Sequence, residues 1–332
     1  MTLTTESGPE AVSRPGLLFE RTVERHFVHR ASVAEVFVTD SQPDGQDQFR
    51  AAAQLPLSHG YYQDHLQTPA RFDVLLLLEA TRQASTCGAH RHLDLPLNST
   101  FLVNAWSLRL DDPDALLIGE RPGELELAET VTRTVGRGGR LRALRFDMEL
   151  AVQGRTVGRA HIEVGVTTSE DYEKLRFMQR RSAPPLTSQQ SGRPGGAPVD
   201  AARVGRLNPA NVVLGEPTVR DGSVTAALTP RFDNRSLFDH VYDHYPAMVL
   251  TEAARQLSFL TAAVGDGAPA DGPVVTGLEA RFTRYAELDA PIEVTAPVAT
   301  GSGQGPHTLP VTFVQGDLTI AEIDFTLRGE QA

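Results

Sequence analysis

The stretch LLLLEATRQAS, residues 75–85, places a carboxylate, a guanidinium and an amide in one of the most apolar parts of the chain. Glu79, Arg82 and Gln83 follow the i, i+3, i+4 spacing that brings side chains onto one face of a helix. Within residues 71–90 the positions before Glu79 are apolar nearly all round, which predicts a helix enclosed by other structure. Three polar groups on one face of such a helix indicate a special role for that face.

A second stretch, LTEAARQLS at residues 250–258, repeats the pattern with Glu252, Arg255 and Gln256. The two glutamates are 173 positions apart (252 − 79), which is close to half of the 332 residues. The chain is therefore expected to consist of two similar halves.

The predicted elements follow the same order in both halves. In the first half, strand-like runs at 32–40 and 49–57 precede the helix, and about four more follow it, among them TFLVNAWSLRL and RLRALRFDMELAVQG. The second half again has strands, one helix near 246–264 and further strands. One helix wrapped by a curved antiparallel sheet is the hotdog fold. The sequence thus predicts an α+β tandem (double) hotdog, in which each half is a curved antiparallel sheet around one long central helix.

Composition sets the expected domain boundaries. The segment RRSAPPLTSQQSGRPGGAPVD, residues 180–200, is rich in Pro, Gly, Ser and Gln, as is typical of an exposed linker. We expect a disordered lead at 1–15, an N-terminal hotdog at 16–168, a linker at 169–200 and a C-terminal hotdog at 201–330.

Composition also excludes several classes of function. Hydrophobic residues make up 40% and charged residues 22% of the chain, which is ordinary globular usage. The formal net charge of −11 (31 − 42) argues against nucleic acid or an anionic membrane surface as the main partner. No apolar run of ~18 residues is present to span a membrane, and the polar start lacks the apolar core of a signal peptide. The single cysteine, Cys87, suits a cytoplasmic protein.

Each predicted helix is preceded by a histidine. In YYQDHLQTPARFDVLLLLEATRQ, His65 lies 14 positions before Glu79, and in SLFDHVYDHYPAMVLTEAARQ, His240 lies 12 positions before Glu252. This order of aromatic pair, histidine, proline-containing loop and helix with Glu-Ala and Gln resembles the signature of the hotdog β-hydroxyacyl-thioester dehydratases. The resemblance implies that all four residues are catalytic and that each histidine faces the other half. His65 would then face Glu252, and His240 would face Glu79.

These residue types suit thioester chemistry. A carbonyl at a helix N-terminus meets unpaired N–H groups and a favourable dipole, which stabilise an oxyanion. A histidine can take a proton at cytoplasmic pH, and a glutamate in an apolar groove can act as an acid or as an orienting acceptor. The alternative is that the Glu–Arg pairs are only buried ion pairs. Burying two charges is usually a poor way to gain stability, so doing it twice favours a function.

The two helix starts differ. In the first half, Asp73 stands where the dehydratase pattern has Pro-Gly, so the amides there are expected to be less open to an acyl oxygen. The second half keeps Pro246. The sequence does not decide which of the two quasi-equivalent sites is productive.

Arg82 and Arg255 separate the chain from the dehydratases, which usually carry a small residue there. A guanidinium suits a phosphate, which it binds bidentately. With the early segment FVHRASVAEVFV and the paired EAxRQ, the chain resembles the A-factor synthase (AfsA) family from about residue 20 to residue 330. The resemblance implies an acyltransferase that joins a β-ketoacyl chain, delivered on acyl carrier protein, to the hydroxyl of dihydroxyacetone phosphate. The product would be the precursor of a γ-butyrolactone, butenolide or furan signalling molecule.

The resemblance also implies which side chains bind the substrates. Arg82 and Arg255 are the expected phosphate ligands, and His29-Arg30 could either reach a phosphate or begin the first strand. Asp243-His244 repeats the pair Asp64-His65 and is expected to line the pocket, although a role in stabilising the loop fits equally. The full set of substrate-binding candidates is Arg82, Gln83, Asp243, His244, Arg255 and Gln256.

Other interpretations stay open. A hotdog dehydratase or thioesterase would use the same residues on acyl thioesters, and a non-catalytic acyl sensor is a third class. No cofactor is expected, because nucleotide-binding motifs are absent, and no metal is expected, because His90 and His92 diverge on a helix. The arginine-rich segment 133–145 predicts either a solvated hairpin or a docking patch for the acidic carrier protein.

Overall fold

A computed structural model describes residues 16–267, 273–299 and 305–329, so the predicted lead at 1–15 lies outside the described residues. The strands of the described part form one antiparallel sheet of twelve strands, against which two long helices pack. The strands are β1 (Val38–Gly45), β2 (Gln48–Leu55), β3 (Ser99–Leu110), β4 (Gly123–Val135), β5 (Leu141–Val152), β6 (Arg155–Thr168), β7 (Thr218–Arg220), β8 (Ser223–Ala227), β9 (Val274–Phe282), β10 (Ile292–Pro297), β11 (His307–Gln315) and β12 (Leu318–Arg328). The helices are α1 (Val74–His92), α2 (Ser169–Arg180) and α3 (Ala247–Asp266).

The sheet is continuous across the two halves. Its order is β1-β2-β4-β5-β6-β3-β9-β12-β11-β10-β8-β7, so the first six strands come from the N-terminal half and the last six from the C-terminal half. Strands β3 and β9 join them, with Trp106 opposite Ala280 and Leu108 opposite Leu278. Helix α1 packs on the first half-sheet and α3 on the second. The predicted α+β tandem hotdog is confirmed.

Alternation of side chains determines which face of each strand meets its helix. In β4, GELELAETVTRTV, every second residue from Gly123 to Val131 is buried and the residues between them are exposed. The buried positions include Leu125, Leu127 and Val131, as expected for a sheet with one solvated face. They also include one carboxylate, Glu129, which is 2% exposed.

The two central helices are buried along most of their length. Leu75 to Leu78 in α1 are fully buried, and Glu79 follows them into the same interior. Helix α1 begins after Asp73, whose Oδ1 accepts the N–H of Leu75 at 2.8 Å. Helix α3 begins after Pro246, which has no side-chain cap, and ends at Gly267 with a φ of 67°. A left-handed residue at that position is the common way to end a helix.

The segment predicted as a linker begins with an ordered helix. Helix α2 follows β6 directly, and the hydroxyl of Thr168 caps it by accepting the N–H of Asp171. Its charged sequence, SEDYEKLRFMQR, lacks the apolar stripe that predicts a packed helix. The side chain of Arg176 is nevertheless only 1% exposed, because it pairs with two carboxylates of the C-terminal half.

Within the described residues, no helix is both long enough and apolar enough to cross a membrane.

Candidate active site

Glu79 is the centre of a hydrogen-bonded cluster inside the first half. Its Oε1 accepts from Arg30 Nε at 3.0 Å, Arg82 Nη2 at 2.7 Å and Gln83 Nε2 at 2.6 Å, and its Oε2 accepts from Arg82 Nε at 2.8 Å. Burial raises the pKa of Glu79, but the two guanidiniums lower it to about 2. Of the two roles expected for this carboxyl, an acid or an orienting acceptor, these contacts favour the acceptor. Glu79 is an ionised acceptor that positions Arg30 and Arg82.

Glu252 is the counterpart in the second half, and its cluster contains one more carboxylate. Glu252 accepts from Arg206 Nε at 2.9 Å and from Gln256 Nε2 at 2.5 Å, and Arg255 Nη2 lies 2.7 Å from its Oε2. Asp73, from the start of α1, places its Oδ2 3.0 Å from Arg255 Nη1. All four charged side chains are at most 7% exposed. Two carboxylates and two guanidiniums thus balance each other in a closed space.

Gln83 and Gln256, predicted to bind substrate, use their amides on the backbone instead. Both side chains are fully buried. Each donates to its helix glutamate and to one backbone carbonyl, and each accepts one backbone N–H. They therefore hold a short 3-10 turn against the helix, at Val33–Glu35 in the first half and Pro209–Asn211 in the second. The backbone partners, at 2.7–3.0 Å, are Glu35 and Phe37 for Gln83, and Asn211 and Val213 for Gln256.

Three positions before each of these turns stands an arginine, Arg30 or Arg206, and sequence reasoning undervalued the first and missed the second. They are 176 positions apart (206 − 30), close to the offset of the helices. Each arginine is followed two positions later by a residue that caps the 3-10 turn, Ser32 or Asn208. The signal was the repeated spacing of arginine and cap, which is weaker than EAxRQ because the residues around it differ.

Two aspartates tie each half to the turn of the other. Asp239 accepts the N–H groups of the two residues after Arg30, at 2.6 and 3.0 Å. Asp64 accepts those of the two residues after Arg206, at 3.0 and 2.9 Å. Asp239-His240 is therefore the counterpart of Asp64-His65, which corrects the predicted equivalence with Asp243-His244.

Because of these contacts, the histidine that follows each aspartate lies beside the Glu–Arg cluster of the other half. His240 lies near Arg30 and Arg82, and burial followed by these two cations lowers its pKa, against the opposing effect of Asp239. His65 lies near Asp73 and Arg255. Burial is the main cause that lowers the pKa of His65, against the opposing effect of the nearby Asp73 carboxylate.

The two histidines face very different spaces. A cavity of about 1870 Å³ is lined by Arg30, Arg82 and His240. The space beside His65 and Arg255 measures only about 20 Å³, which is enough for about one water molecule. The apolar walls of the large cavity come from strands of both halves and from α3: Phe101, Val103, Trp106, Phe146, Ile162, Val164, Leu250, Phe282 and Ile320.

The helix starts reinforce this difference. Tyr245, Pro246, Ala247 and Met248 line the large cavity, so the first turn of α3 faces it. The N–H groups of Ala247 and Met248 have no acceptor in the described part of the chain. The first turn of α1 is instead capped by Asp73 and faces the closed space.

Asp243 and His244 lie on another wall of the large cavity. His244 lines the cavity, and its Nδ1 lies 2.5 Å from Asp243 Oδ1. Asp243 also accepts from Tyr172 and Arg176 of α2, so its oxygens are already occupied. The prediction that Asp243 itself binds substrate does not fit these contacts. In the described part of the chain, no group of three or more His, Cys, Asp or Glu side chains is arranged to hold a metal ion.

The fold and this cavity define a tandem hotdog protein with a cationic pocket at the junction of its two halves. The family of the A-factor biosynthesis hotdog domain matches residues 15–168 and 187–329. The chain belongs to this AfsA family, as the sequence predicts.

Several relatives and solved structures are similar to the chain over most of its length. The chain is 31% identical over 311 residues to the 2-oxo-3-(phosphooxy)propyl 3-oxoalkanoate synthase of Streptomyces virginiae, which covers 93% of this chain and 98% of the relative. The synthase of the same name from Streptomyces coelicolor is 31% identical over 290 residues, covering 86% and 85%. Among solved structures, a pyran synthase domain from module nine of the sorangicin pathway has a TM-score of 0.49 at 16% identity, covering 89% of this chain and 98% of that one. A putative oleoyl thioesterase from Lactobacillus plantarum has a TM-score of 0.47 at 9% identity, covering 86% and 97%.

Proposed function

We propose that this protein is an acyltransferase that condenses a β-ketoacyl thioester with the hydroxyl of dihydroxyacetone phosphate. The curated relatives are named as synthases of a 2-oxo-3-(phosphooxy)propyl 3-oxoalkanoate. Such an ester consists of a 3-oxoacyl group and the alcohol dihydroxyacetone phosphate. In this protein it would be the precursor of a γ-butyrolactone-, butenolide- or furan-type signalling molecule.

The observation that carries the proposal is the pair of arginines that share Glu79 at the edge of the large cavity. One carboxylate and two guanidiniums leave one positive charge (2 − 1) in a largely buried place. Arg82 uses Nε and Nη2 on Glu79 and on the carbonyl of Val28, so its Nη1 is not committed to these bonds. A partly desolvated guanidinium with a free edge is a strong binder of phosphate.

The same charge count supports one of the two quasi-equivalent sites over the other. At Arg255, Asp73 and Glu252 neutralise both guanidiniums, and the adjacent space is too small for a substrate. We therefore assign the phosphate to Arg30 and Arg82 and treat the Arg255 cluster as a structural core. Under this assignment, Arg255, which was predicted to bind phosphate, has a structural role. The same holds for His65 and Glu252, which were predicted to be catalytic.

The acyl thioester fits the rest of the cavity. The uncapped first turn of α3 offers the N–H groups of Ala247 and Met248 to the thioester oxygen, where negative charge develops during attack. The apolar walls that continue from this turn suit an acyl chain. His240, held neutral beside Arg30 and Arg82, is placed to donate a hydrogen bond to the phosphate-bearing acceptor.

Acyl carrier protein is the proposed donor of the acyl chain, and the cytoplasm is the proposed compartment. Cys87 is free and buried, which suits reducing conditions. The arginine-rich segment 133–145 forms the hairpin between β4 and β5. Three of its five arginines, Arg133, Arg140 and Arg145, are paired with Asp47, Asp171 and Asp147, which favours the solvated hairpin over a docking patch for the carrier protein.

The test is a reaction of purified protein with a 3-oxoacyl thioester in the presence and absence of dihydroxyacetone phosphate. We expect thiol release to require the phosphate and mass spectrometry to detect the ester phosphate. Dihydroxyacetone without phosphate serves as the control acceptor and should react poorly. Thiol release at the same rate without any acceptor, with free acid as product, would instead make the protein a thioesterase.

A further inference from the structure

The pair His244 and Asp243 forms a second polar group in the wall of the large cavity, apart from the arginines that share Glu79. His244 lines the cavity, and its side chain is 27% exposed. Its Nδ1 lies 2.5 Å from Asp243 Oδ1, and the same carboxylate accepts from Tyr172 Oη at 2.7 Å and from Arg176 Nε at 2.8 Å. A histidine whose one nitrogen is held by a partly buried, fully engaged carboxylate is the arrangement of an oriented general base.

The protonation of the pair follows from these partners. Burial raises the pKa of Asp243, but its hydrogen bonds to His244, Tyr172 and Arg176 lower it well below the usual range. Asp243 is thus a carboxylate and can only accept, so the proton on the neutral ring of His244 belongs on Nδ1. Nε2 of His244 then carries the lone pair that can take a proton.

Helix α2 supplies the groups that hold Asp243. Arg176 extends from α2 with a side chain that is 1% exposed, and it also pairs with Glu287 at 2.7 and 2.8 Å. The guanidinium lies over the ring of Tyr285 at 4.1 Å, and this ring packs edge-on against His244 at 5.2 Å. Residues 169–186 lie between the two segments that match the family, so this support comes from the part of the chain that joins the two hotdogs.

We propose that His244 is the general base of the acyl transfer, and that Tyr172 and Arg176 of α2 are positioning residues that act through Asp243. This inference rests on the proposed function. His240 also has a carboxylate neighbour, but its Nδ1 lies 3.4 Å from Asp239 Oδ2, and Arg30 and Arg82 oppose a positive charge on its ring. For His244 the corresponding distance to Asp243 Oδ1 is 2.5 Å, and Arg176, Glu287 and the two tyrosines complete its surroundings.

The proposed step is balanced. The acceptor O–H bond breaks, its proton passes to Nε2 of His244, and the oxygen forms a bond to the thioester carbonyl carbon. The C–S bond then breaks, and the imidazolium returns the proton to the leaving thiolate. Ester and thiol are the products, and His244 is neutral again.

The experiment compares His244→Asn with His240→Asn in the ester-forming reaction. We expect His244→Asn to lower kcat at least 100-fold, as for loss of a general base, with KM for dihydroxyacetone phosphate within about threefold. His240→Asn should mainly raise that KM. The reverse pattern, or an unchanged kcat in His244→Asn, would overturn the proposal. If the unchanged protein forms no ester at all, the proposed function fails instead.

Positioning by α2 is tested with Tyr172→Phe, which removes one hydroxyl and keeps the ring. We expect kcat to fall about tenfold with both KM values unchanged. Glu170→Gln on the exposed side of α2 is the matched control and should leave kcat and both KM values unchanged. A change in the thermal unfolding temperature alone, with kcat unchanged in Tyr172→Phe, would reduce α2 to a structural element.

Discussion

Asp73 of the first half and Arg255 of the second half form an ion pair across the centre of the molecule, with Oδ2 of the aspartate 3.0 Å from Nη1 of the arginine. The other oxygen of Asp73 caps its own helix at the N–H of Leu75. One side chain therefore blocks both features that a substrate would use, a free guanidinium edge and an open helix start. The equivalent residue of the second half is Pro246, which has neither effect on Arg82 or on α3.

Introducing an aspartate at position 246 should close the productive site in the same way. In Pro246→Asp, the new carboxylate would cap α3 and reach toward Arg82, by analogy with Asp73. We expect KM for dihydroxyacetone phosphate to rise at least tenfold. The thermal unfolding temperature should stay the same or rise, because an aspartate cap contributes about 0.5–2 kcal/mol to helix stability. Steady-state kinetics and calorimetry on the same preparation measure both effects.

Loss of activity together with an equal loss of stability in Pro246→Asp would point to misfolding and contradict this account. Pro246→Ala is the matched control, since it removes the proline without adding charge. It should retain the KM of the unchanged protein.

The two arginines of the repeated EAxRQ should respond in opposite ways to substitution. Arg82→Ala removes a ligand of the phosphate, and a hydrogen bond between charged groups contributes about 1.5–3 kcal/mol, so KM for dihydroxyacetone phosphate should rise roughly 10- to 100-fold. Arg255→Ala leaves Asp73 and Glu252 buried with fewer partners. It should lower the free energy of unfolding by about 3–5 kcal/mol. Urea unfolding and acceptor titrations on both variants separate these effects.

Equal changes of KM in Arg82→Ala and Arg255→Ala would contradict the assignment of a single phosphate site. The KM values should be taken at a temperature where both variants are folded, as judged by circular dichroism.

Much of this arrangement was predictable from the sequence, because its signals are local. The spacing of Glu79, Arg82 and Gln83 predicts one helical face, and its recurrence at Glu252 predicts the duplication. The buried helices and the tandem hotdog follow from these short-range patterns. The resemblance also led correctly to the AfsA family, since the paired motif is short and specific.

The roles of the same residues were not predictable, because they depend on contacts between distant parts of the chain. The amide of Gln83 is used by backbone 46 and 48 positions earlier, so the sequence cannot tell it from a substrate ligand. Asp239 reaches a turn 207 and 208 positions away, which hides its likeness to Asp64. The neutralising effect of Asp73 on Arg255 depends on how two helices meet across 182 positions. Contacts of this kind produce no periodic pattern in the sequence.

Asp239 and Asp64, the two aspartates that bind the backbone of the other half, provide a third prediction. Asp239 accepts hydrogen bonds from the N–H groups of the two residues after Arg30, and an asparagine at this position would place an NH₂ group against one of them. Asp239→Asn should therefore loosen Arg30 and lower kcat/KM for dihydroxyacetone phosphate about tenfold. Asp64→Asn is the matched variant, since Asp64 holds the Arg206 turn in the same manner. Asp64→Asn should lower the free energy of unfolding as much as Asp239→Asn does, measured by urea unfolding, and should leave kcat/KM unchanged. A loss of kcat/KM in both variants would show that the turns are coupled.

The buried carboxyl of Glu129 should make the stability of the N-terminal half depend on pH. Neither of its oxygens has a hydrogen-bond partner among the described residues, and burial raises its pKa from 4.5 to about 8. Because the folded-state pKa lies above the unfolded-state pKa, the unfolded chain binds fewer protons between these values. Stability is therefore highest below pH 4.5 with respect to this group and falls as pH rises toward 8. The total effect is on the order of 3–5 kcal/mol at about 1.36 kcal/mol per pKa unit.

Glu129→Gln replaces this carboxyl with a group of similar shape that stays neutral. The variant should therefore unfold at about the same urea concentration as the unchanged protein near pH 5.5 and at a clearly higher concentration at pH 8.5, because only the unchanged protein must bury or protonate a carboxylate there. Glu126→Gln, on the exposed face of the same strand, is the control and should show the pH dependence of the unchanged protein. A constant difference between Glu129→Gln and the unchanged protein across this range would mean that Glu129 titrates in the fold as it does in the unfolded chain, and that solvent reaches it.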